Sequence, residues 1–305
     1  MCILPAVDSV QDNVPLNRMP PFNLFGLEEQ DYSKAKVAVL PVPYDSTLTY
    51  KTGAREGPNA IIDASRNIEL YSHELGRDIS ELGIYTLRAM APDLSSPENM
   101  IAGIKREVGL LLDDGKLPLL LGGEHTITLG ALQAFKEKGV ELSILDFDAH
   151  TDSRQEIFGS RYTHATVMAR STELYPNIFQ VGIRSMDAAS SASLDRSKTI
   201  TRDDVREKGT DAIVSQIVEG TGDALYLTFD MDALDPAEMP SVGTPEPDGL
   251  RFAEAMDIIK GVGRKKKLLG ADFVELSPIP HMHAPDFLAA KLIYLTLGYS
   301  MFGGK

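Results

Sequence analysis

Residues 144–153 read ILDFDAHTDS, and this stretch restricts the fold more than any other. Ile144 to Phe147 is an apolar run of strand character. It passes directly into Asp148, His150 and Asp152 at alternate positions. In extended chain, residues i, i+2 and i+4 project from one face. Two carboxylates and an imidazole on one face cannot continue a core strand, so the strand ends here, at the rim of a sheet. Such a trio is suited to holding a divalent cation.

Other strand-like runs end in the same manner. LPLLL, residues 117–121, meets Gly122-Gly123-Glu124-His125. ALYLTF, residues 224–229, meets Asp230-Met231-Asp232, and LLGADFV, residues 268–274, meets Glu275. Further strands are expected at Lys36–Leu40 and Ile178–Ile183. Helices are expected over Pro58–Tyr71, 97–113, Thr126–Lys138, Ala165–Glu173, Asp203–Glu219, Phe252–Val262 and Asp286–Tyr299. This alternation predicts an α/β fold, a parallel sheet with helices on both faces. Such sheets bind ligands beyond the carboxyl ends of their strands, where the polar motifs fall. Residues 1–33 read as an irregular N-terminal arm and 34–305 as one catalytic domain, with no repeat or linker between.

The candidate metal ligands are His125, Asp148, His150, Asp152, Asp230 and Asp232. Four crowded carboxylates raise one another's pKa unless cations neutralise them, and two divalent ions balance four negative charges. A carboxylate-rich set with two imidazoles suits Mn²⁺, with Zn²⁺, Co²⁺, Ni²⁺ and Fe²⁺ also compatible on ligand type. Two ions about 3.5–4 Å apart can activate a water near neutral pH.

Each motif also has a plainer explanation. Gly-Gly-Glu-His alone is a turn followed by a structural histidine, and Asp-x-Asp alone caps turns. The shared strand-end placement is what favours the metal. Asp146 has the right parity but lies deeper and reads as structural; Asp235 reads as a turn residue. His73 is assigned to a helix end, and His281 and His283 to a solvated loop. Arg154, Arg161 and Tyr162 occupy a loop suited to substrate contact.

The formal net charge of −14 argues against nucleic acid and anionic membranes as partners. A single cysteine, Cys2, excludes an intrachain disulfide and fits a reducing compartment.

Taken together, GGEHT, ILDFDAHTD and TFDMDALDPAEMPSVGTPEPDG resemble the signature stretches of the ureohydrolases, the arginase and agmatinase superfamily, in the same order. PVPYDSTLTYKTGAREGPNAI resembles that family's first loop and VELSP its last active-site strand. The resemblance implies a three-layer α/β/α sandwich with a parallel eight-stranded sheet, two Mn²⁺, and a cytoplasmic homo-oligomer, a trimer or hexamer. It implies Asp148 and Asp232 as bridging ligands, His164 of YTHAT as the proton-transfer residue and Glu275 as the guanidinium-binding carboxylate. Asp152 is then both ligand and proton relay. The FGSRYTH stretch is closer to the agmatinase pattern, which implies hydrolysis of agmatine to putrescine and urea, a step of polyamine biosynthesis. Lys51 departs from the Arg expected in many relatives and lacks its bidentate geometry. Arg161, unless it turns outward, keeps guanidino acids in play. The rival substrates are arginine, guanidinobutyrate, aminopropylagmatine, formiminoglutamate and an acetyl-lysine-type amide; a non-catalytic regulator is the alternative of another class.

Overall fold

A computed structural model describes residues 19–28 and 30–303. Residues 1–18 of the expected arm lie outside the described residues. Within 19–33, Leu24 and Phe25 sit in a short 3₁₀ turn and are buried.

The strands are β1 (Val37–Val42), β2 (Tyr71–Ser72), β3 (Arg77–Asp78), β4 (Ile84–Thr86), β5 (Leu117–Gly122), β6 (Ser143–Phe147), β7 (Ile178–Ile183), β8 (Thr199–Thr201), β9 (Ala224–Asp230) and β10 (Lys267–Val274). The helices are α1 (Gly57–Ser65), α2 (Pro97–Asp113), α3 (Ile127–Glu137), α4 (Val167–Leu174), α5 (Ala188–Ser193), α6 (Arg202–Lys208), α7 (Thr210–Gly220), α8 (Phe252–Gly263) and α9 (Ala284–Phe302). Eight strands form one sheet in the order β4-β1-β5-β10-β9-β6-β7-β8, and every pairing is parallel. β2 and β3 form a separate antiparallel hairpin.

The central strands are buried on both faces because two apolar layers cover them. Val39, Leu119, Leu145 and Phe147 pack into one cluster with residues of α1, α8 and α9. Leu40, Leu120, Ile144 and Tyr226 pack into the other with residues of α2, α3 and α4. The result is a three-layer α/β/α sandwich, as expected. No helix among the described residues is long and apolar enough to cross a membrane.

The edge strands β4 and β8 were not among the strands expected from pattern; each has only three residues. The helix expected over 203–219 is two helices. Gly209, at φ +77, leaves the right-handed region and splits α6 from α7. The first expected helix stops at Ser65, and Tyr71 belongs to the hairpin instead. His73 therefore follows a strand of that hairpin rather than a helix; it is exposed.

Neighbouring parallel strands share a register that places the site. Phe147, Phe229 and Phe273 face one another across β6, β9 and β10. Their rings stack at 5.1 and 6.1 Å between centroids. One residue further along, Asp148 and Asp230 emerge on the opposite face of the sheet, beside the turn that follows β5.

Candidate metal centre

Four adjacent strands, β5, β10, β9 and β6, deliver the site. The Gly122-Gly123 turn lets β5 pass directly beneath the first loop. A Cβ on Gly123 would lie 2.0 Å from the Tyr44 carbonyl oxygen. This close approach puts His125 at the sheet's rim, fully buried.

His125 Nδ1 lies 3.3 Å from Asp148 Oδ2, 3.4 Å from Asp152 Oδ2 and 3.5 Å from Asp230 Oδ2. His150 Nδ1 lies 2.9 Å from Asp232 Oδ2 and 3.7 Å from Asp148 Oδ1. Asp148 thus turns one oxygen to each imidazole. The carboxylates are oriented from below by backbone. Ala149 N donates to Asp232 Oδ1 at 3.0 Å, Asp232 N to Asp230 Oδ1 at 2.8 Å, and His150 N to Asp148 Oδ1 at 2.6 Å.

The donor set fits divalent cations. His125 Nε2 is 2.9 Å from Thr228 Oγ1. The Thr228 hydroxyl donates its only proton to Asp272 Oδ1 at 2.5 Å, so it accepts from Nε2–H. Burial alone would lower the pKa of His125, but Asp148, Asp152 and Asp230 raise it well above its usual range, so Nδ1 carries a proton when no cation is bound and would offer its lone pair to a cation that displaces it. Neither Nδ1 nor Asp148 Oδ2 has a hydrogen-bond partner, although both are buried. The spacings of 3.3–3.5 Å exceed ordinary N–H···O contact and match donors arranged around a shared ion.

The electrostatics agree. Burial, then the neighbouring charges of Asp152 and Asp232, push Asp148 up to about 6. Burial and Asp232 push Asp230 well above the carboxylate range. Burial alone would lower His150, but the Asp232 carboxylate outweighs it and raises it. This strain is relieved when cations replace protons.

Asp146 stays out of the ligand set on geometry. Its Oδ1 is 3.9 Å from His125 Nε2, behind the ring, while Oδ2 accepts from Gln180 at 2.9 Å. It nonetheless lies close enough to His125 and Asp148 to form a donor cluster with them. Three carboxylate oxygens converge instead on Nδ1, the opposite side of the ring.

A cavity of about 290 Å³ opens above these residues. His150, Asp152, His164, Asp230, Asp232 and Glu275 line it, together with a wall of Leu48 to Lys51. Glu275 directly follows β10 with φ +66, and Asp152 has φ +44. Both are non-glycine residues in the left-handed region, a cost that collects at functional sites. Glu275 Oε1 accepts from His125 N at 2.7 Å, and burial followed by Glu124 raises its pKa well above the usual range.

Arg161 turns outward and pairs with Glu173 at 3.0 Å, so it does not set the charge of the cavity. Arg154 does line it, paired with Asp187 at 3.3 Å. Tyr162 packs against the apolar layer beneath α3 and α4. His281 and His283 are exposed and away from the lining. Asp235 takes the N–H groups of Ala237 and Gly249, at 2.9 and 2.8 Å, as a turn residue should. Sequence reasoning missed Glu124 as a buried participant, and also Thr228 and Asp272. The latter two share the parity of Asp230 and Asp146, which was the signal available. Arg184, at the end of β7, was missed as well; it donates to the carbonyl oxygens of Asp232 and Glu246, at 2.8 Å each.

Residues 35–298 match the arginase family model. The N(1)-aminopropylagmatine ureohydrolase of Thermus thermophilus is 40% identical over 277 residues, covering 90% of this chain and 94% of that protein. The agmatinase of Pyrococcus horikoshii is 32% identical, covering 88% and 94%. The solved agmatine ureohydrolase of Thermoplasma volcanium superposes with a TM-score of 0.84 at 32% identity, covering 92% and 95%. With the site geometry and these likenesses in agreement, the chain belongs to the arginase family and is a ureohydrolase.

Proposed function

We propose that the protein hydrolyses the guanidino group of agmatine, releasing urea and putrescine, with two Mn²⁺ as cofactor. The observation that carries this reading is the convergence of Asp148, Asp152 and Asp230 on His125 Nδ1 beside a buried carboxylate, Glu275.

His125, Asp148, His150, Asp152, Asp230 and Asp232 would hold the ions. When bound, the ions supply an activated water near neutral pH and neutralise the carboxylates. Everything else falls to the chain. A guanidinium is cationic and resonance-stabilised, so it must be held where a nucleophile can reach it. Glu275 matches it in charge, and a bound guanidinium favours the ionised form that burial opposes. Asp152 is held at the start of α4, where its carbonyl oxygen accepts from Met168 N at 3.0 Å. Its carboxylate would accept the proton of the attacking water. His164, lowered in pKa chiefly by burial, is neutral at pH 7, so it can take up the proton released to Asp152 at its free ring nitrogen and pass it to the leaving amine.

A second reading is N(1)-aminopropylated agmatine, favoured by the likeness to ureohydrolases named for that compound. A cytoplasmic homo-oligomer, a trimer or hexamer, belongs to the same reading and rests on family membership.

The test is urea release from agmatine, N(1)-aminopropylagmatine, arginine and guanidinobutyrate with Mn²⁺ added. Turnover of the first two, abolished by chelation, is expected. Full activity in metal-stripped protein would overturn the reading.

A further inference from the structure

Glu124 stands between the Gly-Gly turn and His125, fully buried and outside the cavity lining. Its carboxylate grips a single residue of the first loop. Thr47 N donates to Oε2 at 2.6 Å, and the Thr47 hydroxyl donates to Oε1 at 2.6 Å. Thr47 adjoins the Leu48–Lys51 wall of the cavity. Its Oγ1 also accepts the backbone N–H of His164 at 3.0 Å and lies 3.4 Å from His164 Nδ1. On the other side of the ring, Thr49 Oγ1 lies 3.4 Å from Nε2.

The protons fix the direction of these contacts. A threonine hydroxyl has one proton. With Glu124 ionised, Thr47 gives its proton to Oε1, so toward the ring it can only accept. Nδ1 must then carry the N–H, and Nε2 of the neutral ring keeps its lone pair. The backbone N–H and Nδ1–H of His164 fill both lone pairs of Thr47 Oγ1, so the Thr126 hydroxyl, 3.3 Å away, is not a donor to it.

We propose that Glu124 and Thr47 are a positioning pair that sets the tautomer of His164, protonated at Nδ1 and open at Nε2. The inference deepens the proposed function and rests on His164 as its proton carrier. Neither residue touches the reacting atoms. Glu124 acts through Thr47, and Thr47 acts through the imidazole.

Glu124→Gln has a specific consequence. Its carbonyl oxygen takes the Thr47 N–H while its NH₂ group faces Thr47 Oγ1. The hydroxyl proton is released toward His164 Nδ1, and the ring becomes Nε2–H. Thr47→Val removes the hydroxyl, and Thr47→Ser keeps it.

The experiment is ring-¹⁵N NMR of the full chain loaded with diamagnetic Zn²⁺, using His164→Asn to identify the resonance, alongside agmatine kinetics with Mn²⁺. The wild type and Thr47→Ser are expected to show Nδ1–H at His164, and Glu124→Gln to show Nε2–H. Turnover in Glu124→Gln and Thr47→Val is expected to fall about 10- to 100-fold, with KM within about twofold and metal content unchanged. Thr47→Ser is expected to restore kcat. An Nε2–H ring in the wild type, an unchanged tautomer in Glu124→Gln, or unchanged kcat in Thr47→Val would each overturn the proposal. Absence of urea release by the wild type would remove the proposed function, while the NMR result would still decide the tautomer assignment.

Discussion

His125 Nδ1 and Asp148 Oδ2 face each other at 3.3 Å, both buried and both without a hydrogen-bond partner. A shared cation would satisfy both atoms at once. Substituting either side of the ligand set should therefore empty it. His125→Ala and Asp232→Ala are each expected to lose bound metal, read by elemental analysis, together with nearly all urea release. A variant that keeps two equivalents of metal and wild-type turnover contradicts the ligand assignment.

Glu275 lines the cavity but is not among the proposed ligands. Glu275→Gln should keep its metal and lose a charge-assisted contact worth about 1.5–3 kcal/mol. That corresponds to a fall in kcat/KM of roughly 10- to 150-fold. Steady-state kinetics on a metal-replete sample measure it, and unchanged constants would remove Glu275 from the guanidinium role.

The metal-free protein should lose stability as pH rises. Asp148 has a folded pKa of about 6 against an ordinary 3.8, so the folded state holds its proton more tightly. Its contribution is complete below about 4 and lost as pH climbs through 6. The loss is on the order of 3 kcal/mol for Asp148. Asp230 shifts in the same direction. Denaturant titrations at pH 4.5 and 7.5, with chelator and with Mn²⁺, should show metal stabilising the protein far more at the higher pH.

Thr228 should bear on metal affinity although it is not a proposed ligand. Thr228→Val removes the acceptor for His125 Nε2–H and should weaken binding about 10- to 100-fold. Thr228→Ser should restore it. Metal titration of the stripped protein reads this directly, and equal affinity in the valine variant would break the link.

Gly123 is required by space rather than by dihedral angle. Gly123→Ala would drive its Cβ to 2.0 Å from the Tyr44 carbonyl oxygen, forcing β5 and the first loop apart at a cost of about 1–3 kcal/mol. Thermal melts should show the drop, accompanied by weakened metal binding because His125 is two residues away.

Much of this arrangement was legible in the sequence because parallel strands buried on both faces read as continuous apolar runs. LPLLL, ILDF and ALYLTF show this, each stopping where polar residues begin. β4 and β8 were not legible, since three residues at a sheet edge carry too little pattern. The break at Gly209 was hidden inside a sequence of otherwise good helix formers. The ligands were visible through their spacing. Glu124 was not, because its partner, Thr47, lies 77 residues away and no local pattern announces a contact of that span.

The matched register of Phe147, Phe229 and Phe273 bears on how this chain can change. A one-residue insertion or deletion inside β6, β9 or β10 would turn Asp148, Asp230 or Glu275 to the opposite side of the sheet and the aromatic rings with it. Length variation is thereby pushed into the connections beyond the strand ends. The loop from Ser153 to Tyr162 and the Leu48–Lys51 wall can be lengthened or rebuilt to admit a different substrate tail, while the six proposed ligands are kept or lost as a unit.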